Sequence, residues 1–280
     1  MQSESTIFQR LKLRLRARNA KKELASRTAH PPAAKPHGLT RPLIVSLTSY
    51  SARFDTLSQT LTGALHQTMQ PDRTILWVSR DDFCRLPKNV LALQHLGLEI
   101  GQCENMKSFT KIIPTLRAHP DSFIITLDDD VYYQQTLIED LVAAFNPCEP
   151  KIVCHRAHEI TMESPGKPKP YQEWNKIRHS EASSPLVFPT GVMGVLYPPG
   201  VFHEDTCKQE LFTELSPTAD DVWLYWMWRL TGHTAHRIKG SKRIIEWPGS
   251  QGSNLRTPNG HAGGNDACIA NMIARYGFPA

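Results

Sequence analysis

An α/β protein with a mostly parallel central sheet, helices on both faces, is the fold class the sequence predicts, on three observations. Short apolar, β-branched runs alternate with segments whose apolar residues recur at helical spacing, the pattern that gives parallel strands joined by crossover helices. Two of these runs end in polar or acidic clusters, SLTSY at 46–50 and DDD at 128–130, where such sheets bind ligands. A chain of 280 residues, 40% hydrophobic and 21% charged, has the composition of an ordinary globular protein and enough length for a large buried core.

The N-terminal 41 residues stand apart in charge. They hold ten Lys or Arg against Glu4 and Glu23, a balance of +8, whereas residues 42–280 carry 22 basic and 25 acidic groups, a balance of −3. Within 6–27, Ile7, Phe8, Leu11 and Leu15 share a helical face, with Arg10, Arg14, Arg18, Lys21 and Lys22 among the other positions. That pattern is expected either to lie on an anionic membrane surface or to remain a solvated basic arm. AHPPAAKPHG (29–38) reads as a linker, because Pro and Gly cluster and apolar periodicity stops. The expected organisation is therefore a basic tail and linker over 1–41 and a domain over 42–280.

From Pro42 the elements follow in order. LIVSLTSY (43–50) is a strand, and Leu57, Leu61, Ala64 and Leu65 mark the helix after it. TILWVS (74–79) is a second strand and LEI (98–100) a short third. KSFTKIIPTLRAH is expected to be helical up to its proline. SFIITLDDD ends the fourth strand, and Leu137, Ile138, Leu141, Val142 and Phe145 give the next helix. IVCHRAHEI reads as a strand, SPGKPKPYQEWNK as a long loop, and SPLVFPTGVMGVLYPPG as an apolar segment interrupted by Gly191 and Gly194. In SPTADDVWLYWMWRLTG, Asp220 and Asp221 precede a helix whose Trp223, Trp226 and Trp228 suit a core.

The chemistry concentrates in FIITLDDDVYY (123–133). Three adjacent carboxylates repel one another and need a counter-charge or water. In an extended chain Asp128 and Asp130 face one side and Asp129 the other, so the first and third can share a hard cation such as Mg²⁺ or Mn²⁺. No run approaches the length and apolarity of a membrane span, and no secretory signal pattern opens the chain. Six scattered cysteines without a C-x-x-C pair read as reduced thiols of a cytosolic protein. No Walker loop, G-x-G-x-x-G or nucleophile elbow is present.

The order of SLTSYSARF, LHQTMQPDRTILWVS, KSFTKIIP, FIITLDDDVYY, GVMGVLYPP, ADDVWLYWM and GGNDACIANMIARYG resembles bacterial nucleotide-sugar glycosyltransferases of the GT-A fold, those of surface polysaccharide synthesis in particular. The resemblance spans about residues 42–280. It implies a GT-A-like α/β/α sandwich and a nucleoside diphosphate sugar as donor. It also implies a glycan or lipid-linked hydroxyl as acceptor, Mn²⁺ or Mg²⁺ as cofactor, and no role for nucleic acid. By the same resemblance Asp130 binds the metal directly, and Asp128 contacts the donor ribose or the metal through water. Thr48 and Ser49 frame the nucleotide, with Arg53 in reach of a base or phosphate. Lys107 and Lys111, four apart on an expected helix, are both expected to face the diphosphate. Asp221 matches the general base of an inverting transfer, its anion favoured by the helix terminus, and Asp220 is expected to orient the acceptor. Asp220 departs from the family's commoner Glu. His261 is a further candidate metal ligand. Two other readings fit parts of the pattern: a sugar nucleotidyltransferase, against which the missing early Gly-rich loop argues, and an inactive glycan-binding module, which has no need of Asp221. The expected location is the cytoplasm, at the inner face of the membrane if the tail binds lipid.

Overall fold

The computed structural model describes residues 2–240, 242–250 and 263–279, and for 2–10 the backbone alone. Its frame is an eight-stranded sheet between layers of helices. The strands used below are β1 (Leu43–Thr48), β2 (Arg73–Ser79), β3 (Leu98–Cys103), β4 (Phe123–Leu127), β5 (Ile152–Cys154), β6 (Ala157–Glu159), β7 (Asn175–Ile177), β8 (Ala182–Ser184), β9 (Val187–Pro189), β10 (Val195–Tyr197) and β11 (Ala235–Arg237). The main sheet runs β8-β11-β5-β10-β4-β1-β2-β3, and a smaller antiparallel one runs β7-β6-β9. β4, β1, β2 and β3 are mutually parallel, as are β5 and β11, while β10 runs antiparallel between β4 and β5. The expected α/β architecture with a mostly parallel sheet is the one observed.

Alternation along β4 builds two cores. Phe123, Ile125 and Leu127 join Leu57, Leu61, Ile138 and Leu141 on one face. Ile124 joins Phe109, Ile112, Trp223 and Trp226 on the other. The corresponding helices are α1 (Gln2–Ala29), α2 (Phe54–Leu65), α3 (Ile113–Ala118), α4 (Leu137–Ala143), α5 (Gln209–Leu215), α6 (Asp220–Arg229) and α7 (Gly264–Tyr276). Trp223, Trp226 and Trp228 are buried, in the core role their spacing suggests.

Several local expectations are corrected. Lys107–Lys111 is a 3-10 turn, and Pro114 sits in the first turn of α3, where a missing N–H costs nothing, so the proline opens a helix instead of ending one. IVCHRAHEI divides into β5 and β6, which belong to different sheets. The expected loop over 164–176 is instead ordered: it closes a short hairpin of Met162–Ser164 with Lys167–Pro168, forms the 3-10 turn Tyr171–Glu173 and enters β7. Asp220 and Asp221 are the first two residues of α6 itself, capped by Ala219 without a side-chain bond.

Part of the expected tail and linker, from Ala17 to His37, packs on the rest of the chain. The second half of α1 buries Ala17, Ala20, Leu24 and Arg27, spaced three or four apart. Ala20 and Leu24 pack on Tyr132 and Trp247. Arg27 lies over the Tyr132 ring at 5.5 Å and donates from Nη2 to the Tyr133 carbonyl at 3.2 Å. The linker is also engaged: Lys35–Pro36 pairs in parallel with Met69–Gln70, and His37 meets Asp72 at 2.9 Å. In the first half, Leu11, Leu13 and Leu15 are about half exposed, at 50–53%. The apolar face that docks is thus not the one carrying Leu11 and Leu15.

Candidate active site

The site lies beyond the carboxyl ends of β1 and β4, and the antiparallel β10 completes it. Because Val195 pairs with Thr126 and β10 runs away from that end, the segment before it, Thr190–Gly194, must lie beside Asp128. This segment turns tightly: Gly194 N–H donates to the Gly191 carbonyl at 3.1 Å, with Met193 at φ 77° and Gly194 at φ 87°. A side chain at Gly194 would press on Leu127 and Leu141. Both the left-handed backbone and the close packing therefore call for glycine there.

Asp128 pairs with Lys111, whereas Asp129 and Asp130 share Arg53. Asp129 points inward, where Ser49 Oγ donates to it at 2.5 Å and Arg53 Nη1 at 2.8 Å. Burial pushes its carboxyl up to about 6, against the pull of Arg53 and Ser49. Arg53 Nη1 lies 2.8 Å from Asp130 Oδ2 as well, so one guanidinium serves two carboxylates. Asp128 Oδ1 accepts from Lys111 Nζ at 3.0 Å.

The turn is clamped by residues outside the predicted set. Asp128 N–H donates to Tyr133 Oη at 2.8 Å, and the same hydroxyl donates to the Asp128 carbonyl at 3.0 Å. Thr60 Oγ1 donates to the Asp129 and Val131 carbonyls and accepts from Trp247 Nε1 at 2.8 Å, while Trp247 N–H donates to the Asp130 carbonyl. Tyr133 is in the motif, and its ring could have been suspected. Thr60 and Trp247 come from distant segments and left no local signal.

The second acidic pair enters from α6. Lys111 Nζ reaches Asp220 Oδ2 at 2.8 Å, and Gly191 N–H donates to Asp221 Oδ1 and Oδ2 at 3.1 and 3.2 Å. A Cβ placed on Gly191 would lie 2.9 Å from Lys111 Nζ, 3.2 Å from Asp221 Oδ1 and 3.6 Å from Asp128 Oδ1. That α-carbon therefore sits where the two acidic motifs and their cation meet, and a side chain there would press on the Lys111 ammonium and the Asp221 carboxylate. Burial opposes the charge on Lys111, but Asp128, Asp220 and Asp221 outweigh it and hold the ammonium well above its ordinary value. Burial, then Asp220, pushes Asp221 up to about 7. The expected low value is corrected here, because loss of water outweighs the helix terminus.

Beside Asp221, β6 and β9 form a wall. Arg156 Nη1 donates to Thr190 Oγ1 at 2.6 Å, next to Gly191, and Tyr171, Trp174 and Phe188 pack in tilted and edge-to-face contacts at centroid distances of 4.9–6.1 Å. None of these was singled out from the sequence.

The remaining candidates divide. Lys111, Asp128, Asp220 and Asp221 gather around Gly191, while Ser49 is buried against Asp129 and Arg53 reaches both Asp129 and Asp130. Thr48 is spent on the frame, its hydroxyl donating to the Trp77 carbonyl at 2.9 Å. Lys107 is exposed and shares no partner with Lys111. The 3-10 turn explains this: at three residues per turn, positions four apart face about 120° apart instead of lying in line. His261 lies outside the described residues.

Asp128 and Asp130 suit a hard divalent cation. Both supply oxygen only, and both sit on the turn clamped by the Tyr133 hydroxyl and the Trp247 N–H. No group of three or more His, Cys, Asp or Glu gathers for a metal among the described residues. A cation here would take one or two carboxylates and complete its shell with water or substrate oxygen, the habit of Mg²⁺ and Mn²⁺.

No protein-family model and no curated protein sequence matches the chain. Among solved structures it is similar to a mannosyltransferase, PcManGT from Pyrobaculum calidifontis in complex with GDP-Man and Mn²⁺. The identity is 12% over 51% of this chain and 45% of that one, with a TM-score of 0.35. It is also similar to S. aureus TarS 1–349 in complex with UDP, with 14% identity over 72% of this chain and 59% of that one and a TM-score of 0.43. The chain thus spans about half of the lengths of these neighbours.

Proposed function

We propose that the chain is a metal-dependent glycosyltransferase that moves a sugar from a nucleoside diphosphate donor to a hydroxyl of a glycan or lipid-linked acceptor in surface polysaccharide synthesis. One observation carries the reading: carboxylates at the end of β4 and carboxylates at the start of α6 meet across Gly191 in one crevice. Transfer to a hydroxyl needs that division of labour, with charge stabilisation for a departing diphosphate and a separate acceptor for the incoming proton. In this reading Asp128 and Asp130 hold the cation, which supplies positive charge to the leaving group. Ser49 and Arg53 border the nucleotide. Asp221, held by the Gly191 amide, takes the acceptor proton, and a value near 7 suits a general base at neutral pH. Asp220, paired with Lys111, orients the acceptor.

A thermal-shift screen of nucleoside diphosphates and their sugars, with and without Mn²⁺, tests this. One nucleotide should raise the melting point only when the metal is present, by about 2.7 kcal/mol of stability at a hundredfold excess over Kd. No metal-dependent shift with any nucleotide would remove the reading.

The reading extends to α1. Its first half carries exposed Lys12, Arg14, Leu11, Leu13 and Leu15, which suit an anionic lipid surface on the cytoplasmic side. No described helix is long and apolar enough to cross a membrane. Deleting residues 1–15 should leave the melting point within about a degree and cut binding to anionic vesicles, an effect that shrinks in high salt. Deleting 1–41 should also destabilise the fold, since Leu24 alone buries roughly 1.5–3 kcal/mol and each kcal/mol is worth about 2–4 °C in a chain of this size. Vesicle binding unchanged by the shorter deletion would end the membrane role.

A further inference from the structure

Lys111 is placed unlike a side chain that waits for a diphosphate. It ends the 3-10 turn Lys107–Lys111, whose backbone is fixed by buried Phe109 and by Ile112 just beyond, and its side chain is 8% exposed. Its ammonium lies 3.0 Å from Asp128 Oδ1 and 2.8 Å from Asp220 Oδ2, under the Gly191 α-carbon. The cation is thus shared between the strand-end acids and the helix-start acids.

We propose that Lys111 is a built-in counter-ion that competes with a divalent cation for Asp128, with Asp220 as the partner that retains the ammonium when the cation loads. The proposal rests on the metal-binding role given above to Asp128. A divalent ion on Asp128 shares that carboxylate with a fixed ammonium, and like charges at such range in a partly dry crevice repel strongly. Asp220 lowers the cost of loading because Lys111 keeps one ion pair without leaving the site. The anionic oxygens of a diphosphate offset the same repulsion, so metal and nucleotide load better together than singly. Lys111 is accordingly a positioning residue that couples the two acidic motifs.

The test is Mn²⁺ titration calorimetry without nucleotide on the full chain and on Lys111→Met, Asp220→Asn and the double variant, each checked for cooperative melting. Lys111→Met should tighten Mn²⁺ binding by about tenfold or more, the scale of removing a like charge from contact range. Asp220→Asn should weaken it, because Lys111 is left to Asp128 alone. The gain from Lys111→Met should be larger in the Asp220→Asn background, a coupling that a distant field effect would not produce. The double variant removes one charge of each sign and keeps the proposal testable if Lys111→Met alone does not fold. A gain below about threefold, or an equal gain in both backgrounds, would overturn the proposal, as would the absence of Mn²⁺ binding in all four proteins. If Mn²⁺ behaves as expected but no nucleotide ever binds, the glycosyl-transfer reading fails and the competition for Asp128 stands.

Discussion

Replacing Asp221 with Asn is expected to lower turnover by roughly 10² to 10⁴, the usual range for losing a positioned proton acceptor, while metal and donor binding persist. The expectation follows from its position at the start of α6, where both carboxylate oxygens accept from the Gly191 amide within 3.2 Å. An amide side chain fits the same space and cannot take the proton. Burial and Asp220 push the wild-type carboxyl up to about 7, so turnover should rise with pH and level off above that value. The stability effect has the opposite sign. An Asp whose folded value exceeds its unfolded one, near 3.9, favours the folded state when protonated, and that advantage is lost as pH rises toward 7. Asp221→Asn should therefore melt higher than the parent at pH 8 and lose that margin as pH falls toward 4. Near-normal turnover in the variant, or a product that retains the donor's anomeric configuration, would assign this residue another task.

Asp130→Asn is expected to abolish the Mn²⁺-dependent nucleotide shift while the metal-free protein melts at or slightly above the parent temperature. The substitution removes a formal charge at nearly constant shape from a run of three carboxylates, which relieves repulsion. The backbone should not move, because Trp247 N–H holds the Asp130 carbonyl and Thr60 holds the carbonyls on either side. Arg53 keeps its 2.8 Å contact with Asp129 and so remains anchored. Metal-dependent binding that survives would place the cation elsewhere. A large drop in melting point would mark the Arg53–Asp130 pair as structural.

How much of this was legible from the chain depended on the range of the forces involved. The alternation of apolar runs and helical faces, the acidic end of β4, and the acids at the start of α6 are local patterns, because side-chain periodicity is set by backbone geometry within a few residues. The fold class and the two acidic motifs could therefore be read in order. The same local logic failed where a turn type changed the period: a 3-10 turn separated Lys107 from Lys111, and Pro114 opened a helix. It failed also for α1, whose docking face, Ala17 to Arg27, is defined by distant partners such as Tyr132, Tyr133 and Trp247.

By itself the sequence determined the strand and helix alternation, the carboxylate chemistry and the asymmetry of charge. Tertiary structure alone decided which charges meet. The reversal of β10 brings Gly191 to Asp128, and the fold buries Lys111 between Asp128 and Asp220. Burial likewise raises Asp221 where the helix terminus alone would lower it. Pairing and loss of water depend on groups far apart in the chain, so neither is written in local spacing.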